Sequence, residues 1–326
     1  MKKILVTGGL GFIGLNLVQD LLRDKKIKLI NIDKLSPYSN KIIIKKKNYK
    51  FIKLDIANKN KLYNCINNIK PDLVFHLAAE SHVDRSIISS KEFIYSNIIG
   101  TFNLLEILNQ LKEKKKLNAK FRFIHVSTDE VYGSILKGKF TERSNYKPNS
   151  PYSASKASSD LLVRSWFKTH NFPAIITNCS NNFGPYQNEE KFIPKVITNI
   201  LSKKKIPIYG NGKNMRDWIY VDDHISALKT IAIKGKIGET YNIGGQNILT
   251  NNKIVEMICK IIKKKHINFD PTILIEHVID RKGHDFRYAI SNKKINNELN
   301  WYPKYAFKDS LEKTIDWYCK NFHSKK

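Results

Sequence analysis

A hydroxyl group and two carboxyl groups stand side by side at the end of an apolar stretch in the middle of the chain. Residues 124–128 read Ile-His-Val-Ser-Thr, and Asp129 and Glu130 follow at once. The apolar stretch is typical of a buried strand, so these side chains should emerge where a strand runs out into a loop. Thr128 can hold a substrate hydroxyl in line. Adjacent carboxyl groups can split their pKa values, because ionising one disfavours ionising the other, so the pair predicts an acid and a base at one site.

A tyrosine and a lysine one helical turn apart form the second chemical element. Tyr152 and Lys156 follow Ser150 and Pro151, which suit the N-cap and the first turn of a helix. Their spacing places both side chains on one face of that helix. Tyrosine has a pKa of about 10, so it serves as a base at neutral pH only when a nearby ammonium stabilises its phenolate. Together the two stretches predict more acid and base groups than a simple alcohol dehydrogenase needs.

A glycine-rich turn near the N-terminus predicts a dinucleotide cofactor. A short apolar strand at 3–7 runs into Gly8-Gly-Leu-Gly11-Phe-Ile-Gly14, and residues 15–22 continue at helical spacing. Glycines between a strand and a helix let backbone N–H groups approach a pyrophosphate, which the helix N-terminus also attracts. The strand at 28–32 ends at Asp33, whose carboxylate would bind the adenosine ribose and repel a 2′-phosphate. The next residue is a lysine that could accept that phosphate, so the pattern favours NAD and leaves NADP open.

Strands and helices that alternate along the chain must position these groups. Further apolar strands are predicted at 51–56, 72–77, 121–128 and 174–178. A long helix is predicted at 91–115. The alternation predicts an α/β fold, a doubly wound, Rossmann-like parallel sheet with helices on both faces. Because the alternation weakens further on, we predict an NAD-binding domain over 1–186 and a smaller α+β substrate-binding part over 187–326, with an approximate boundary that the chain can cross again.

The C-terminal part has shorter and less regular elements. Helical spacing is found near 191–202, 222–233, 252–265 and 308–320, and short apolar pieces lie at 206–209, 240–243 and 272–275. Three of its basic residues, Lys191, Arg216 and Arg281, are candidates for binding a substrate pyrophosphate. In a chain this basic, an ordinary surface position is the favoured interpretation of each one.

Composition and charge argue against several classes of protein. The chain has 326 residues, 41% of them hydrophobic, and no stretch approaches the ~18 apolar residues of a membrane span. Its four cysteines are far apart and its nine histidines lack metal-ligand spacing, so we expect a reducing, cytoplasmic compartment and no metal site. The net charge of +28 includes lysine runs that are scattered and match no nucleic-acid motif, so we expect no specific nucleic-acid partner.

With longer motifs spread over nearly its whole length, the chain resembles the extended short-chain dehydrogenase/reductases, and within that group the dTDP-glucose 4,6-dehydratases. The glycine turn and the Tyr/Lys pair belong to the whole superfamily, whereas the Thr-Asp-Glu triplet and the Arg-Lys-Gly-His-Asp stretch are far more specific. Ser36-Pro-Tyr-Ser39 departs from the family's usual Thr-Tyr-Ala-Gly, and Phe183 and Phe192 stand where Tyr and Leu are usual. The matching motifs are Thr7-Gly-Gly-Leu-Gly-Phe-Ile-Gly14, His76-Leu-Ala-Ala-Glu-Ser-His-Val-Asp-Arg-Ser86, Ser127-Thr-Asp-Glu-Val-Tyr-Gly133, Tyr152-Ser-Ala-Ser-Lys156, Asn178-Cys-Ser-Asn-Asn-Phe-Gly-Pro-Tyr186, Tyr209-Gly-Asn-Gly-Lys-Asn-Met-Arg-Asp-Trp218 and Asp280-Arg-Lys-Gly-His-Asp-Phe-Arg-Tyr288.

The resemblance implies a reaction and a role for each chemical group. Tyr152 would take the proton of the sugar 4-hydroxyl while hydride leaves C4 for NAD. Glu130 would remove the C5 proton that the new ketone acidifies, and Asp129 would protonate the departing C6 hydroxyl. Hydride would then return to C6, so that dTDP-glucose becomes dTDP-4-keto-6-deoxyglucose and the NAD is regenerated. This division of labour requires Asp129 to be protonated and Glu130 ionised near neutral pH.

The resemblance also assigns positions and an assembly. Members of the family usually dimerise through the helices that correspond here to about 91–113 and 151–170, so a homodimer is expected. The implied catalytic residues are Thr128, Asp129, Glu130, Tyr152 and Lys156. The implied cofactor positions are Gly8, Gly11, Phe12, Ile13, Gly14, Asp33, Lys34, Leu35, Ser36, Asp55, Ile56, Leu77, Ala79, Ser96, Tyr152, Lys156 and Asn182. The implied nucleotide-sugar positions are Ser81, Thr128, Asn181, Lys191, Phe192, Pro207, Tyr209, Arg216, Asn251, Arg281 and His284.

Other functions remain open on the sequence alone. A UDP-sugar 4,6-dehydratase or a 4-epimerase would share the fold and the cofactor, although an epimerase has no need of the Asp129–Glu130 pair. A non-catalytic NAD-binding regulator, or a basic nucleic-acid binder on the same scaffold, would need none of the chemical groups. Because the full set of those groups is present, an enzyme is the favoured interpretation.

Overall fold

In residues 1–322, which the computed structural model of the protein describes, the strands form one seven-stranded sheet and two smaller sheets. In chain order the strands are β1 (Lys2–Thr7), β2 (Ile27–Asp33), β3 (Tyr49–Lys53), β4 (Leu73–His76), β5 (Arg122–Thr128), β6 (Ala174–Cys179), β7 (Asn181–Phe183), β8 (Ile206–Tyr209), β9 (Met215–Tyr220), β10 (Thr240–Ile243), β11 (Ile248–Thr250) and β12 (Ile275–Val278).

The helices lie between these strands and after the last one. They are α1 (Phe12–Leu21), α2 (Lys59–Ile69), α3 (Val83–Ile88), α4 (Lys91–Phe93), α5 (Gly100–Glu113), α6 (Pro151–His170), α7 (Phe192–Leu201), α8 (Val221–Lys234), α9 (Asn251–Lys265), α10 (Lys293–Leu299) and α11 (Phe307–Phe322). A π-helical turn (Ile94–Ile99) joins α4 to α5, and short 3-10 turns lie at Asp129–Tyr132 and Pro271–Leu274. Among the described residues, no helix combines the length and hydropathy needed to cross a membrane.

The large sheet has the strand order β10-β6-β5-β4-β1-β2-β3, and every neighbouring pair in it is parallel. The predicted doubly wound α/β fold is therefore confirmed. The chain runs outward from β1 to β3 and then returns to β4 on the other side of β1. At such a reversal the carboxyl ends of the strands border a crevice. Thr7, Asp33, His76 and Thr128 end the four strands that meet there.

Apolar side chains at alternate positions of the strands pack into two buried layers, one on each face of the sheet. On β1, Ile4 and Val6 pack into one layer and Leu5 packs into the other, as the period of two along a strand requires. Fully burying each such side chain contributes ~1.5–3 kcal/mol. The first layer continues through α7, α9 and α11, and β10 returns to the large sheet. The chain therefore crosses back after residue 186, and the C-terminal helices share a core with the sheet.

Two predicted elements differ from the structure. The short apolar piece at 272–275 lies mostly in a 3-10 turn, because Asp270 caps that turn by accepting the Thr272 N–H at 3.0 Å, and the strand β12 begins only at Ile275. The single helix predicted at 91–115 is interrupted by the π-helical turn. That turn brings the Asn97 amide to the Glu80 backbone, where it accepts one hydrogen bond at 2.8 Å and donates another at 3.0 Å.

The small C-terminal sheets were only partly predicted. β7, β9 and β11 form a three-stranded sheet, and none of the three was predicted. They are short and mix polar with apolar residues, so they lack the alternation that identifies a strand from sequence. β8 lies where an apolar piece was predicted and pairs in parallel with β12. Arg216 and Asp217 lie on β9, and Tyr209 ends β8.

Candidate active site

In the glycine turn between β1 and α1, Gly8 and Gly14 have no room for a side chain. Gly8 has a φ of +72°, and a Cβ there would lie 2.6 Å from the Ala78 nitrogen. A Cβ on Gly14 would lie 2.2 Å from the Gly8 carbonyl oxygen. α1 begins after Gly11 without a side-chain cap, so its first N–H groups keep no acceptor within the helix and border the cavity. A bare turn that ends in an uncapped helix N-terminus fits the pyrophosphate of a dinucleotide.

Asp33, at the end of β2, is held by its neighbours at the cavity wall. Its carboxylate accepts hydrogen bonds from the Leu10 N–H at 3.0 Å, the Leu35 N–H at 2.9 Å and the Ser39 hydroxyl at 3.1 Å. Lys34, the residue that left NADP open, pairs with a carboxylate at the same cavity. Its ammonium lies 2.8 Å from the Glu80 carboxylate. The carboxylate at the cavity and the engaged ammonium together favour a ribose with both hydroxyls over a 2′-phosphate.

One cavity of about 320 Å³ runs from the glycine turn to the end of β5. Of the cofactor positions implied by the resemblance, Leu35 does not line it and instead borders a neighbouring cavity. The remaining cofactor positions do line it: Gly8, Gly11, Phe12, Ile13, Gly14, Asp33, Lys34, Ser36, Asp55, Ile56, Leu77, Ala79, Ser96, Tyr152, Lys156 and Asn182.

Helix α6 begins as its sequence predicts and brings Tyr152 and Lys156 to this cavity. The Ser150 hydroxyl accepts the Ser153 N–H at 3.1 Å, and the Ser153 hydroxyl accepts the Ser150 N–H at 3.0 Å, which forms a capping box. The Lys156 ammonium donates to the Val126 carbonyl oxygen at 2.9 Å.

Burial shifts the pKa values of both Tyr152 and Lys156. It raises the pKa of Tyr152 well above its ordinary value; the Glu130 charge adds to the rise, and the Thr128 side chain opposes it. Burial also lowers the pKa of Lys156, against the nearby Asp160 charge. The phenol therefore keeps its proton until further positive charge enters the cavity.

The two carboxyl groups after β5 have different surroundings. Asp129 is 2% exposed, and burial, the Glu130 charge and the Asp217 charge raise its pKa well above the ordinary value. Burial also raises the pKa of Glu130, but three cations oppose that rise. The environment therefore favours the protonated form of Asp129 more strongly than that of Glu130, the direction that an acid and a base require. The three cations are Arg216, Arg281 and Lys191.

Two of these cations are fixed within the fold. Arg216 is 6% exposed, so the surface interpretation does not apply to it. Its guanidinium donates to the Asp285 carbonyl oxygen at 2.9 Å and lies 4.3 Å from the centre of the Tyr288 ring. Lys191 donates from its ammonium to the Ser81 carbonyl oxygen at 2.6 Å.

The third cation, Arg281, belongs to a group of residues that do not line the cavity. Arg281 lies 3.3 Å from the Asp84 carboxylate, to which the Tyr209 hydroxyl donates at 3.5 Å. The Tyr209 ring in turn meets the His284 ring edge-on, with 6.0 Å between ring centres. Tyr209, Arg281 and His284 thus stand together although the chain separates them.

The structure divides the implied nucleotide-sugar positions between the cavity and its surroundings. Phe192 stacks with Trp218 at 6.2 Å, Pro207 lies within β8, and Asn251 begins α9. The positions that line the cavity are Ser81, Thr128, Asn181 and Lys191. The positions that lie beyond its wall are Phe192, Pro207, Tyr209, Arg216, Asn251, Arg281 and His284.

Several residues of the cavity wall were not singled out from the sequence. Arg85 donates to the Glu190 carboxylate at 3.2 Å and stacks on the Tyr38 ring at 3.5 Å from its centre. Tyr38 belongs to the segment that departs from the family pattern, so the resemblance implied no role for it. Glu80 and Arg85 lie inside the quoted motif at 76–86, but spacing alone does not show that they meet residues from elsewhere in the chain. Within residues 1–322, no group of three or more His, Cys, Asp or Glu side chains could hold a metal ion.

Known proteins resemble this chain over nearly its whole length. A family model described as GDP-mannose 4,6 dehydratase matches residues 5–314. A dTDP-glucose 4,6-dehydratase of Neisseria meningitidis serogroup B is 45% identical over 335 residues, covering 98% of this chain and 94% of the relative. Another, from Escherichia coli K12, is 45% identical over 339 residues, covering 98% of this chain and 93% of the relative.

Solved structures agree with the sequence relatives. A dTDP-glucose 4,6-dehydratase from Streptomyces venezuelae, crystallised with NAD and TDP, has a TM-score of 0.91 and 38% identity, with 99% of this chain and 98% of the other covered. One from Bacillus anthracis, in complex with NAD, has a TM-score of 0.87 and 43% identity, with the same coverage. A UDP-glucose 4-epimerase from Thermotoga maritima also reaches a TM-score of 0.87, over 98% of this chain and 99% of the other, but its identity is only 26%.

Proposed function

This chain belongs to the dTDP-glucose 4,6-dehydratase family of the extended short-chain dehydrogenase/reductases, and we propose on that premise that it converts dTDP-glucose to dTDP-4-keto-6-deoxyglucose with bound NAD. It is a lyase that removes water from its substrate. The observation that carries the proposal is the pair after β5, a buried Asp129 next to a Glu130 that cations surround, on the wall of the cavity that also holds Tyr152. Oxidation of an alcohol needs only the tyrosine. The two carboxyl groups are what the loss of water requires.

The side chains carry the protons of the reaction. Tyr152 accepts the proton of the 4-hydroxyl while Thr128 holds that oxygen, and the resulting ketone acidifies the C5 proton. Glu130 takes the C5 proton, and Asp129 gives its proton to the C6 hydroxyl, which leaves as water. Glu130 then returns its proton to C5 as C6 is reduced. At the end Tyr152 has gained one proton and Asp129 has lost one, so a single proton transfer restores the site.

The glycine turn, the start of α1 and Asp33 form a cofactor site that fits NAD. The bare glycine turn and the uncapped start of α1 would hold the pyrophosphate, and Asp33 would hold the adenosine ribose. Lys156 would bind the nicotinamide ribose. When bound, NAD supplies a positively charged acceptor for the hydride of C4 and later returns that hydride to C6. Because the cofactor is regenerated in each turnover, we expect it to stay with the protein during purification.

The cations around Glu130 provide the site for the nucleotide diphosphate. Arg216 and Arg281 come from different parts of the C-terminal half and both act on Glu130, as does Lys191. A diphosphate between them would be neutralised by charges that the fold already holds in place. We therefore propose that the C-terminal part binds the nucleotide and places the hexose against Thr128 and Tyr152.

Turnover of dTDP-glucose compared with UDP-glucose tests the proposal. The purified protein with dTDP-glucose should give a 4-keto product that absorbs in base and whose mass is lower by one water. A related UDP-sugar dehydratase would favour the uridine substrate, and a 4-epimerase would give a product of unchanged mass. No product from either substrate would contradict the proposal.

The assembly and the cellular location are part of the proposal. Ile94, Tyr95 and Ile99 on the π-helical turn and Leu161 on α6 are exposed apolar side chains on the helices through which a homodimer would form. Sedimentation of the purified protein should show twice the mass of the chain, and Leu161→Lys should reduce it to that of one chain. The four cysteines are unpaired, which supports a cytoplasmic location.

A further inference from the structure

Two contacts between side chains cross the carboxyl end of β1, where the glycine turn lies. The strand order β4-β1-β2 places β1 between the other two strands, which are therefore ~10 Å apart. Tyr38 follows β2 and Arg85 follows β4, yet the Arg85 guanidinium lies 3.5 Å from the centre of the Tyr38 ring. Lys34 and Glu80, from the same two segments, form the ion pair at 2.8 Å. Both contacts therefore span the crevice from one side of β1 to the other.

These four residues, Lys34, Tyr38, Glu80 and Arg85, separate two cavities, and we call them the gate. Each of the four lines the cavity of about 320 Å³ that begins at the glycine turn, and each also lines a neighbouring cavity of about 850 Å³. The glycines of the turn line only the first cavity, whereas Lys53 and other residues beyond the gate line only the second. The gate therefore lies between the cofactor positions and the neighbouring cavity.

Further contacts hold the gate closed. The Arg85 guanidinium also donates to the Glu190 carboxylate at 3.2 Å and lies 3.7 Å from the Glu80 carboxylate. The Lys34 ammonium donates to the Ser96 hydroxyl at 2.9 Å. A contact between a cation and a ring changes an equilibrium by about two- to thirtyfold, and a partly exposed ion pair by less. Such contacts can break and form again while the protein stays folded.

We propose that NAD enters and leaves through the neighbouring cavity, and that the gate must open each time. The inference rests on the proposed function, in which NAD stays with the protein from one turnover to the next. A closed gate slows the exit of a cofactor that the reaction regenerates. Because the contacts are made by protein groups alone, they oppose the entry of a dinucleotide as well as its exit.

The neighbouring cavity suits an anionic ligand in transit. Lys53 and Lys61 line it beyond the gate, and both are exposed to solvent. Two carboxylates at the same cavity are already engaged, since Asp55 accepts a backbone N–H at 2.9 Å and Glu92 lies 3.9 Å from the Lys34 ammonium. The two lysines would therefore attract the phosphates of a dinucleotide toward the gate.

Tyr38→Ala tests the proposal, because it removes one side of the gate at a residue that is 38% exposed. Stopped-flow fluorescence follows NADH as it binds to the full-length chain freed of NAD, and as excess NAD displaces it. Association and dissociation should both become about tenfold faster, with little change in Kd. Tyr302→Ala is the matched control. Tyr302 is 52% exposed and lines neither cavity, so both rates should equal those of the unaltered chain.

Lys53→Glu tests the route, and it keeps the proposal testable if Tyr38→Ala does not fold. Reversing this charge should slow the association of NADH by about threefold at low salt, and added salt should remove the effect. Lys308→Glu is the control, because it makes the same change at an exposed residue of α11 that lines neither cavity. It should leave the association rate unaltered.

Three results would overturn the proposal. Unchanged rates in Tyr38→Ala would show that the ring does not obstruct the cofactor. Faster dissociation with unchanged association would make Tyr38 a direct contact of bound NAD instead of part of a gate. Equal association rates in Lys53→Glu and Lys308→Glu would place the route elsewhere. Neither measurement uses a sugar substrate, so a chain that exchanges NAD as expected and forms no 4-keto product would contradict the proposed function alone.

Discussion

Replacing Glu130 by glutamine removes the one base that the mechanism assigns to the C5 proton. The amide has the size of the carboxylate but cannot accept a proton. A positioned general base contributes about 10²–10⁴-fold to a rate, or ~3–5 kcal/mol of activation free energy. Burial and charge raise the pKa of the neighbouring carboxyl group, Asp129, well above its ordinary value, which disfavours it as a substitute base. We therefore expect the dehydration rate to fall by about 10³-fold or more.

The same substitution should leave the earlier steps intact. Tyr152 and Thr128 are unchanged, so oxidation at C4 should proceed and the absorbance of NADH should rise on mixing with dTDP-glucose and then persist. The substitution removes a negative charge that partly neutralises the three surrounding cations. These cations should then attract the diphosphate of the substrate more strongly, so KM should not increase. NAD should remain bound, because Glu130 lies at the opposite end of the cavity from the glycine turn.

The assay follows 4-keto product and NADH absorbance together under single-turnover conditions. Glu106→Gln is the control, since Glu106 is partly exposed and pairs with Lys59 at 2.7 Å on the surface. It should match the unaltered chain in both signals. Unchanged product formation by Glu130→Gln would remove this residue from the mechanism. Loss of product together with loss of bound NAD would instead show that the substitution damaged the cofactor site.

The remaining predictions concern the tyrosine, the cofactor site, a buried histidine and the core. Tyr152→Phe should slow C4 oxidation by about 10²–10⁴-fold, so that mixing with dTDP-glucose gives no NADH absorbance. Gly14→Ala places a Cβ 2.2 Å from the Gly8 carbonyl oxygen; the protein should be purified without NAD, as its ultraviolet spectrum would show. Burial lowers the pKa of His224 to about 3, so the folded state holds this imidazole in its neutral form. The free energy of unfolding should therefore be at its full value above about pH 6.5 and should fall as the pH drops toward 3, by up to ~1.4 kcal/mol per pH unit. His224→Asn should flatten that loss in urea titrations at several pH values. Leu5→Ala should lower the free energy of unfolding by ~2–5 kcal/mol in the same assay, with kcat per folded molecule unchanged.

Some features of this protein follow from residues that are close together in the sequence. The strand, glycine turn and helix at the N-terminus specify their own conformation, because the close approaches at Gly8 and Gly14 admit no side chain. Tyr152 and Lys156 share a helix face through their spacing alone, and Ser150 with Ser153 starts that helix. Alternating strands and helices were enough to predict the parallel sheet. These features are local, so composition and spacing report them.

Other features depend on residues that the chain keeps far apart. Lys34 left NADP open in the sequence, and only its ion pair with Glu80 shows where its charge is directed. The short strands β7, β9 and β11 form through pairing with one another, which no single segment reveals. The apolar piece at 272–275 is mostly a 3-10 turn, because a capping aspartate and a proline start that turn.

The difference in pKa between the two carboxyl groups depends on tertiary structure in the same way. Sequence placed Asp129 and Glu130 side by side, but two adjacent carboxyl groups are equivalent until their surroundings differ. Burial and neighbouring negative charges raise the pKa of Asp129 well above its ordinary value, whereas three cations from remote parts of the chain oppose the rise at Glu130. A pKa depends on burial and on charges close in space. The sequence therefore determined which chemical groups are present, and only the fold determined how far their pKa values are shifted.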